Sequence, residues 1–150
     1  MEDNFLKYYY DHTYNVKKQF TPGKIILLSC ILFLVASIYA LYKGIYVLSI
    51  IYFAVFISST CGDYIFPYSI WNVIDRWIST GVIVISTLYA FKYTNWDYHK
   101  IIFIDIWLIC TLIYSRNSTT NKEYNNRHFI WHLLLFIIAL ILIKNVNINT

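Results

Sequence analysis

Charged residues are scarce in this chain: Asp, Glu, Lys and Arg make up 13% of its 150 residues, against roughly 25% in an ordinary soluble domain. The net charge of +4 is small and dispersed, and no basic patch is interleaved with aromatic residues, which argues against nucleic acid as a partner. Glycine is scarce as well, with four residues, and none belongs to a Gly-rich phosphate-binding loop.

Cysteine offers no disulfide framework. The three cysteines, Cys30, Cys61 and Cys110, are odd in number and have no CxxC spacing, so a set of disulfides is not expected. Cys30 and Cys110 lie inside apolar runs and are interpreted as small hydrophobic residues. A cleavable signal peptide is not evident, because the first 23 residues are polar and aromatic and the first apolar run is too long. We expect that run to act as an uncleaved signal anchor.

Apolar residues, in contrast, make up 59% of the chain and aromatic residues 20%, a composition that suits a membrane and its interfaces. The first run, IILLSCILFLVASIYALY, has no polar face, whereas a helix of a soluble bundle keeps one. The sequence therefore predicts an all-α, polytopic integral membrane protein with one domain over 1–150. After a polar N-terminal segment, 1–24, about five transmembrane helices in a bundle are expected near 25–42, 45–60, 71–91, 101–114 and 128–143.

The connections predict which helix ends share a side. A two-residue turn, KG, separates the first two segments, which is typical of a tight helical hairpin. With five crossings, the N-terminus and the loops 61–70 and 115–127 share one side, which carries eight of the twelve Lys and Arg residues. The positive-inside rule places that side in the cytoplasm, at an endomembrane or the plasma membrane. The sequon at 117–119 argues the other way, since glycosylation would require the lumen.

Two histidines and an aspartate fall on that same side. His128 and His132 begin the fifth segment four residues apart, so nearly one helical turn separates them and their imidazoles point the same way. Such a pair can hold one metal ion, which also removes the cost of placing imidazoles near hydrocarbon. Asp75, early in the third segment, is a candidate acceptor for an imidazole N–H or a base for a water.

Each of these residues also has an interpretation without chemistry. The two histidines fit an interfacial position, with rings on lipid and polar tips in water, and Asp75 fits a pair with Arg76 or a helix cap. His12 and His99 lie in polar stretches and are expected to be solvated. Asp105 interrupts the fourth segment, where a charge costs ~2.5–3.5 kcal/mol. We expect it to face the bundle interior or a cavity, or to be protonated, on the opposite side from the histidines.

The arrangement resembles the CREST superfamily, which includes alkaline ceramidases, adiponectin-receptor-like proteins, Per1-type proteins and a myomaker-like branch. HFIWH, His128–His132, is similar to the HSxWH pattern in the last helix of the myomaker-like branch. The HACD signature of that branch aligns with STCG, Ser59–Gly62, and its aspartate sixteen residues later falls on Asp75. The likeness covers two windows, 52–91 and 126–145.

The resemblance implies a zinc site, from which this chain departs twice. Known members have seven membrane helices, and several bind zinc through three histidines and hydrolyse lipid amides such as ceramide; five segments are found here. The histidine expected in the second helix is Ser59. Either zinc is lost, or Cys61 or Asp63 completes the set beside the two histidines, which would be an ordinary zinc combination.

Two functions follow from these alternatives. In the first, the chain is a zinc-dependent hydrolase of ceramide-like lipid amides, in which Asp75 orients or deprotonates a water and Ser58 or Ser59 donates to the oxyanion. In the second, it is a non-catalytic protein that remodels membranes, binds membrane lipids or forms homo-oligomers through faces left open by the missing helices. A small channel or carrier is a third alternative, suggested only by Asp105 and the polar residues at the opposite end.

Overall fold

The computed structural model describes residues 20–67 and 69–147. Within them every regular element is helical, which confirms the all-α class. Five long helices are present, and a short π-helical segment, Thr60–Ile65, directly follows the second. The long helices are α1 (Lys24–Tyr42), α2 (Tyr46–Ser59), α3 (Ile70–Tyr93), α4 (Tyr98–Arg116) and α5 (Asn121–Asn145).

Part of the sequence prediction lies outside the described residues. It comprises most of the polar N-terminal segment, with His12 and three of the lysines used to orient the chain, together with residue 68 and the last three residues. The cytoplasmic N-terminus therefore stays a prediction.

All five helices, the second taken with its π-helical continuation, are long enough and apolar enough to cross a membrane. Large apolar side chains are exposed on every one of them, among them Leu28, Ile50, Trp77, Phe103 and Ile137. The buried face of α1 consists mainly of small residues, namely Ser29, Cys30, Ala36, Ser37 and Ala40. Small residues allow helix backbones to approach closely, which is the packing found between helices in lipid.

Contacts at the helix ends agree with the prediction of which chain ends and connections share a side of the bundle. The Gly23 N–H donates to Asn125 Oδ1 at 2.6 Å, so the chain entering α1 lies beside the first turns of α5. At the other end of the bundle the Asn147 N–H donates to Tyr93 O at 2.9 Å. The chain leaving α5 therefore lies beside the end of α3.

The predicted hairpin between α1 and α2 depends on Gly44. Its φ is +74°, in the left-handed region that residues with a side chain rarely adopt, and its N–H donates to Leu41 O at 2.9 Å. Farther from the turn, Ser37 Oγ donates to Ser49 O at 2.9 Å. The hairpin is thus fixed both at its turn and between its helices.

Two helix boundaries differ from the expected ones, and both affect the candidate site. The second helical stretch continues through Ile65 in π-helical form rather than ending near 60. The last helix begins at Asn121, seven residues before its expected start, because a reciprocal cap holds its first turn. Thr120 Oγ1 accepts from the Glu123 N–H at 3.2 Å, and Glu123 Oε2 accepts from the Thr119 N–H at 2.8 Å, as in a capping box displaced by one residue.

Replacing Gly44 by alanine is expected to lower the free energy of unfolding by about 1–2 kcal/mol, because the left-handed backbone strains any side chain. Space is not the reason, since a Cβ at Gly44 would meet no atom within 4 Å. Gly81→Ala is the matched control: it lies within α3, its Cβ would also meet nothing within 4 Å, and alanine favours a helix. Thermal unfolding in detergent measures both, and an equal loss in the two variants would contradict the assignment of the turn.

Candidate metal site

His128, His132 and Asp63 form a compact group of potential metal ligands, named here the Asp63 cluster. One ligand atom from each residue lies within 4.8 Å of the other two. Asp63 Oδ2 lies 3.0 Å from His128 Nε2 and 3.6 Å from His132 Nε2. His132 and Asp63 are 2% and 3% exposed, so the cluster is buried within the bundle.

The place of the histidines follows from the early start of α5. His128 and His132 come seven and eleven residues after Asn121, which places them about 10 and 16 Å along the helix rather than at its mouth. Their spacing brings the ring centroids to 4.5 Å. The His128 side chain is 15% exposed and that of His132 is 3% exposed, which does not fit the interfacial interpretation of either residue.

Asp63 reaches the histidines because the chain remains helical after α2. The π-helical form adds a residue to the turn, as in the bond from the Phe66 N–H to Cys61 O at 2.8 Å, and π turns are frequent at functional sites. Gly62 allows the segment to approach α3, since a Cβ there would lie 2.7 Å from Trp71 O. Asp63 is therefore held inside the bundle by a helical segment, where the sequence predicted the loop 61–70.

Ser29 is the hydrogen-bond partner of the His132 ring nitrogen that faces away from Asp63. Ser29 Oγ donates to Ile26 O at 2.7 Å and also lies 2.7 Å from His132 Nδ1. A hydroxyl has one proton, so Ser29 either donates to Ile26 O and accepts from the Nδ1–H of His132, or donates to Nδ1. In the first case the lone pair of a neutral His132 lies on Nε2, the atom that faces Asp63, and in the second case Nε2 carries the proton.

The tautomer with its proton on Nδ1 produces an arrangement that a cation would stabilise. In that tautomer the Nε2 lone pair of a neutral His132 faces the Asp63 carboxylate oxygen at 3.6 Å, with no proton between them. A second proton on the ring or a metal ion between the two atoms removes the repulsion. His128 Nε2 lies at hydrogen-bond distance from the same oxygen, and its Nδ1 lies 3.4 Å from Ser115 Oγ.

Asn72 holds the other oxygen of Asp63. Its Nδ2 donates to Asp63 Oδ1 at 3.2 Å and to Gly62 O at 3.1 Å. Because both partners are acceptors, the orientation of the amide is determined, and Oδ1 of Asn72 must point away from them. That oxygen is buried and has no hydrogen-bond partner among the described residues, which costs about 1–3 kcal/mol unless a donor is supplied.

Asp75 forms a second polar group beside the Asp63 cluster, close enough for its charge to interact with those of Asp63 and His128. Ser58 Oγ and Ser59 Oγ donate to Asp75 Oδ1 at 2.7 and 2.6 Å, and all three side chains are buried. Ser58 Oγ also has Val55 O as an acceptor at 3.2 Å, so every acceptor of the two hydroxyl protons is a group of the protein rather than a site for an oxyanion.

The helix-cap interpretation of Asp75 does not fit. The N-cap of α3 is Ser69, whose side chain accepts from the Trp71 N–H, and Asp75 lies more than one turn inside the helix.

The structure brings together most of the candidates taken from the sequence. Asp63 joins the histidines, and the two serines join Asp75. Cys61, the alternative to Asp63, is half-buried and does not belong to the group of ligand atoms. Two buried residues that contact the cluster, Ser29 and Asn72, were not selected, although a polar residue within an apolar segment is itself a signal because its burial requires a partner.

The residues present fit a divalent metal of the kind that imidazole and carboxylate ligands prefer. Two imidazoles and one carboxylate are the protein ligands of known catalytic zinc sites, in which a fourth position remains for a water or substrate. Ser29 and Asn72 hold the far sides of His132 and Asp63, the supporting contacts that such ligands usually have. The cluster can therefore hold a metal ion, of an identity that the ligand set alone does not determine.

Comparison of the chain with protein-family models, with curated proteins and with solved structures found no match. What the site does must therefore be argued from its own geometry. The resemblance to the CREST superfamily stays an expectation from short motifs.

Ser29→Ala is expected to weaken metal binding about 10- to 100-fold, because it removes the hydrogen-bond partner that orients His132. Ser37→Ala is the matched control, since Ser37 is also buried in α1 and hydrogen-bonded, but to Ser49 and away from the cluster. Titration of the metal-free protein with Co²⁺, followed by its visible absorption, measures the affinity. Equal affinities of the two variants would exclude this role for Ser29.

Proposed function

We propose that this chain is an integral membrane protein with a zinc site formed by Asp63, His128 and His132, and that it hydrolyses an amide bond of a membrane lipid. The observation that supports it most is the buried convergence of three ligand atoms within 4.8 Å of one another, inside helices that are apolar enough to cross a membrane. The N-terminus lies in the cytoplasm in this proposal, as the distribution of basic residues predicts.

A lipid is the favoured substrate because of what surrounds the site. The outer surface of the bundle is largely apolar, so the molecules that reach it are membrane lipids. Among lipid bonds, an amide such as that of ceramide is supported by the resemblance of HFIWH and the aligned Asp75 to the CREST pattern. We expect the bond to lie at the polar end of the lipid, near the cluster.

Zinc held there would supply Lewis acidity towards the amide carbonyl. Asp75 accepts a proton from the attacking water as the water oxygen bonds to the carbonyl carbon. When the C–N bond breaks, the same carboxyl returns the proton to the leaving nitrogen, so that an amine and a carboxylic acid are released. Ser58 and Ser59 position Asp75 through its Oδ1, which leaves Oδ2 as the oxygen for this transfer.

Asn72 is proposed to bind the amide N–H of the substrate. Its Oδ1 is an acceptor with a determined direction and no partner among the described residues. The N–H of a lipid amide is a donor that could satisfy this oxygen. Asn72 would then favour amides over esters, because an ester has no N–H to donate.

A non-catalytic function is the second candidate, and one observation favours it. Through Ser29, Asp63 and Asn72 the cluster connects α1, the π-helical segment, α3 and α5. Polar contacts between helices stabilise membrane bundles, so the same residues would serve a protein that binds lipids, remodels membranes or forms homo-oligomers. In that case His128→Ala lowers the folded yield, and neither this variant nor the wild type has a hydrolytic activity to lose.

Purified protein is expected to contain about one zinc ion per chain, since the three ligands come from one site. His132→Ala should lose the metal, because the remaining pair binds far more weakly. His99→Ala, an exposed histidine at the start of α4, should keep it. Elemental analysis of the detergent-purified variants measures the zinc content per chain. Zinc retained in full by His132→Ala would show that His132 is not a ligand and would exclude the proposed site.

Asp75→Asn is expected to lower turnover of a fluorescent ceramide by at least about 10²-fold, because the amide side chain cannot accept the proton. It should leave the zinc content unchanged, since Asp75 is not a ligand. Asp97→Asn, at the exposed N-cap of α4, is the control and should keep full activity. Zinc-loaded wild type that cleaves neither lipid amides nor esters would favour the non-catalytic function.

A further inference from the structure

A small cavity of about 30 Å³, open on one side, lies among α2, α3, α4 and α5, in the half of the bundle away from the Asp63 cluster. On α5 its wall begins at Leu135, about one turn beyond His132, and continues to Leu142. Its lining is mainly aliphatic. Four polar side chains interrupt that lining: Tyr52, Ser86, Thr87 and Asp105.

The expectation that Asp105 faces a cavity is confirmed. Few hydrogen-bond donors reach its carboxylate there. Thr87 Oγ1 lies 3.0 Å from each carboxylate oxygen and 2.9 Å from Ile83 O. One hydroxyl proton cannot serve three acceptors at once. An ionised Asp105 is therefore left with less than one full hydrogen bond in a mostly apolar cavity.

No cationic side chain compensates this carboxylate. Among the described residues, no Lys, Arg or His nitrogen lies within 4.0 Å of Asp105. Lys100, on the same helix, instead places its Nζ 4.8 Å from the centroid of the Trp96 ring. Asp105 and Thr87 are half-buried, so a ligand can approach them from outside the bundle.

We propose that this cavity receives the ammonium group of a lipophilic amine, which binds Asp105 while the alkyl chain extends outward to the lipid-facing side of the bundle. An ammonium has three donors and a positive charge, which are the two things that Asp105 lacks. Tyr52 and Trp96 line the cavity, and aromatic rings attract organic cations. The cavity has room for about two water-sized groups, which is enough for the ammonium but not for the alkyl chain.

An inorganic cation fits this cavity less well. Calcium takes 6–8 oxygen ligands, at least two of them commonly carboxylates, whereas one carboxylate and three hydroxyls are available here. Tyr52 Oη and Ser86 Oγ are moreover 3.2 Å apart and bonded to each other. The predominantly aliphatic wall would leave the rest of the ion without ligands, whereas an ammonium has only three N–H groups to satisfy.

The test is photolabelling of the full chain in phosphatidylcholine nanodiscs. Two probes that carry the same diazirine, a dodecylamine and a dodecanol, differ only in the charged group. We expect the amine to label peptides of α3 and α4 at the cavity, saturably and competed by dodecylamine. Labelling by the alcohol should be about tenfold weaker, the value of a charge-assisted hydrogen bond.

Variants then identify the carboxylate. Asp105→Asn should reduce labelling by the amine about tenfold, while Asp97→Asn, at the exposed N-cap of the same helix, should not change it. Ala139→Leu fills part of the cavity but keeps Asp105, and it should also reduce labelling by the amine. This variant tests the proposal if Asp105→Asn does not fold, as judged by size-exclusion chromatography.

Three outcomes would overturn the proposal. They are equal labelling by amine and alcohol, full labelling of both variants, and loss of labelling in sodium but not in potassium chloride, which would assign Asp105 to a metal cation. None of these results depends on zinc or on hydrolysis.

Discussion

The structure depends on one buried carboxylate, Asp63, held between two imidazoles. Moving a carboxylate into a low-dielectric interior costs several kcal/mol, and the cost is acceptable only if its oxygens are occupied by donors or a cation. His128 and His132 face Oδ2, and Asn72 donates to Oδ1. These contacts require the π-helical segment to touch α3, and they require α5 to present both histidines on the face that meets this segment.

The rest of the bundle is arranged so that polar groups point inward. The helix exteriors expose large apolar side chains, while hydroxyls, carboxylates and imidazoles lie among the helices. Small residues such as Ser29 and Ala36 on α1 allow the close approach that this requires. Polar pairs then occur in both halves of the bundle: the Asp63 cluster with Asp75 in one, and Asp105 with Thr87 in the other.

The sequence was sufficient for the number and the approximate places of the helices, because long apolar runs separated by short polar connections have few other interpretations. It was not sufficient for the start of α5. Thr119, Thr120 and Glu123 carry the cap, but their polar surroundings resembled a loop. The helical spacing of His128 and His132 was readable, since it depends only on the pitch of one helix.

The third potential ligand could not be chosen from the sequence. Cys61 and Asp63 are two residues apart, and which one faces α5 depends on the π-helical form of Thr60–Ile65 and on the approach of Gly62 to α3. Both are tertiary effects with no local pattern. The contact of Ser29 with His132 could not be predicted for a similar reason, because it depends on the packing of α1 against α5.

The proposed zinc site would differ in charge from the three-histidine site that the resemblance to the CREST superfamily implies. Three neutral imidazoles leave a divalent ion with its full charge, whereas two imidazoles and Asp63 leave half of it, and an ionised Asp75 nearby would balance the remainder. Because the cost of a charge in a low-dielectric interior rises steeply with its size, this ligand set suits a small bundle that has few other groups to stabilise a metal. It also lowers the Lewis acidity, since the carboxylate donates negative charge to the ion. The position of the expected histidine, Ser59, then acquires a different role, which is to orient Asp75 through its hydroxyl.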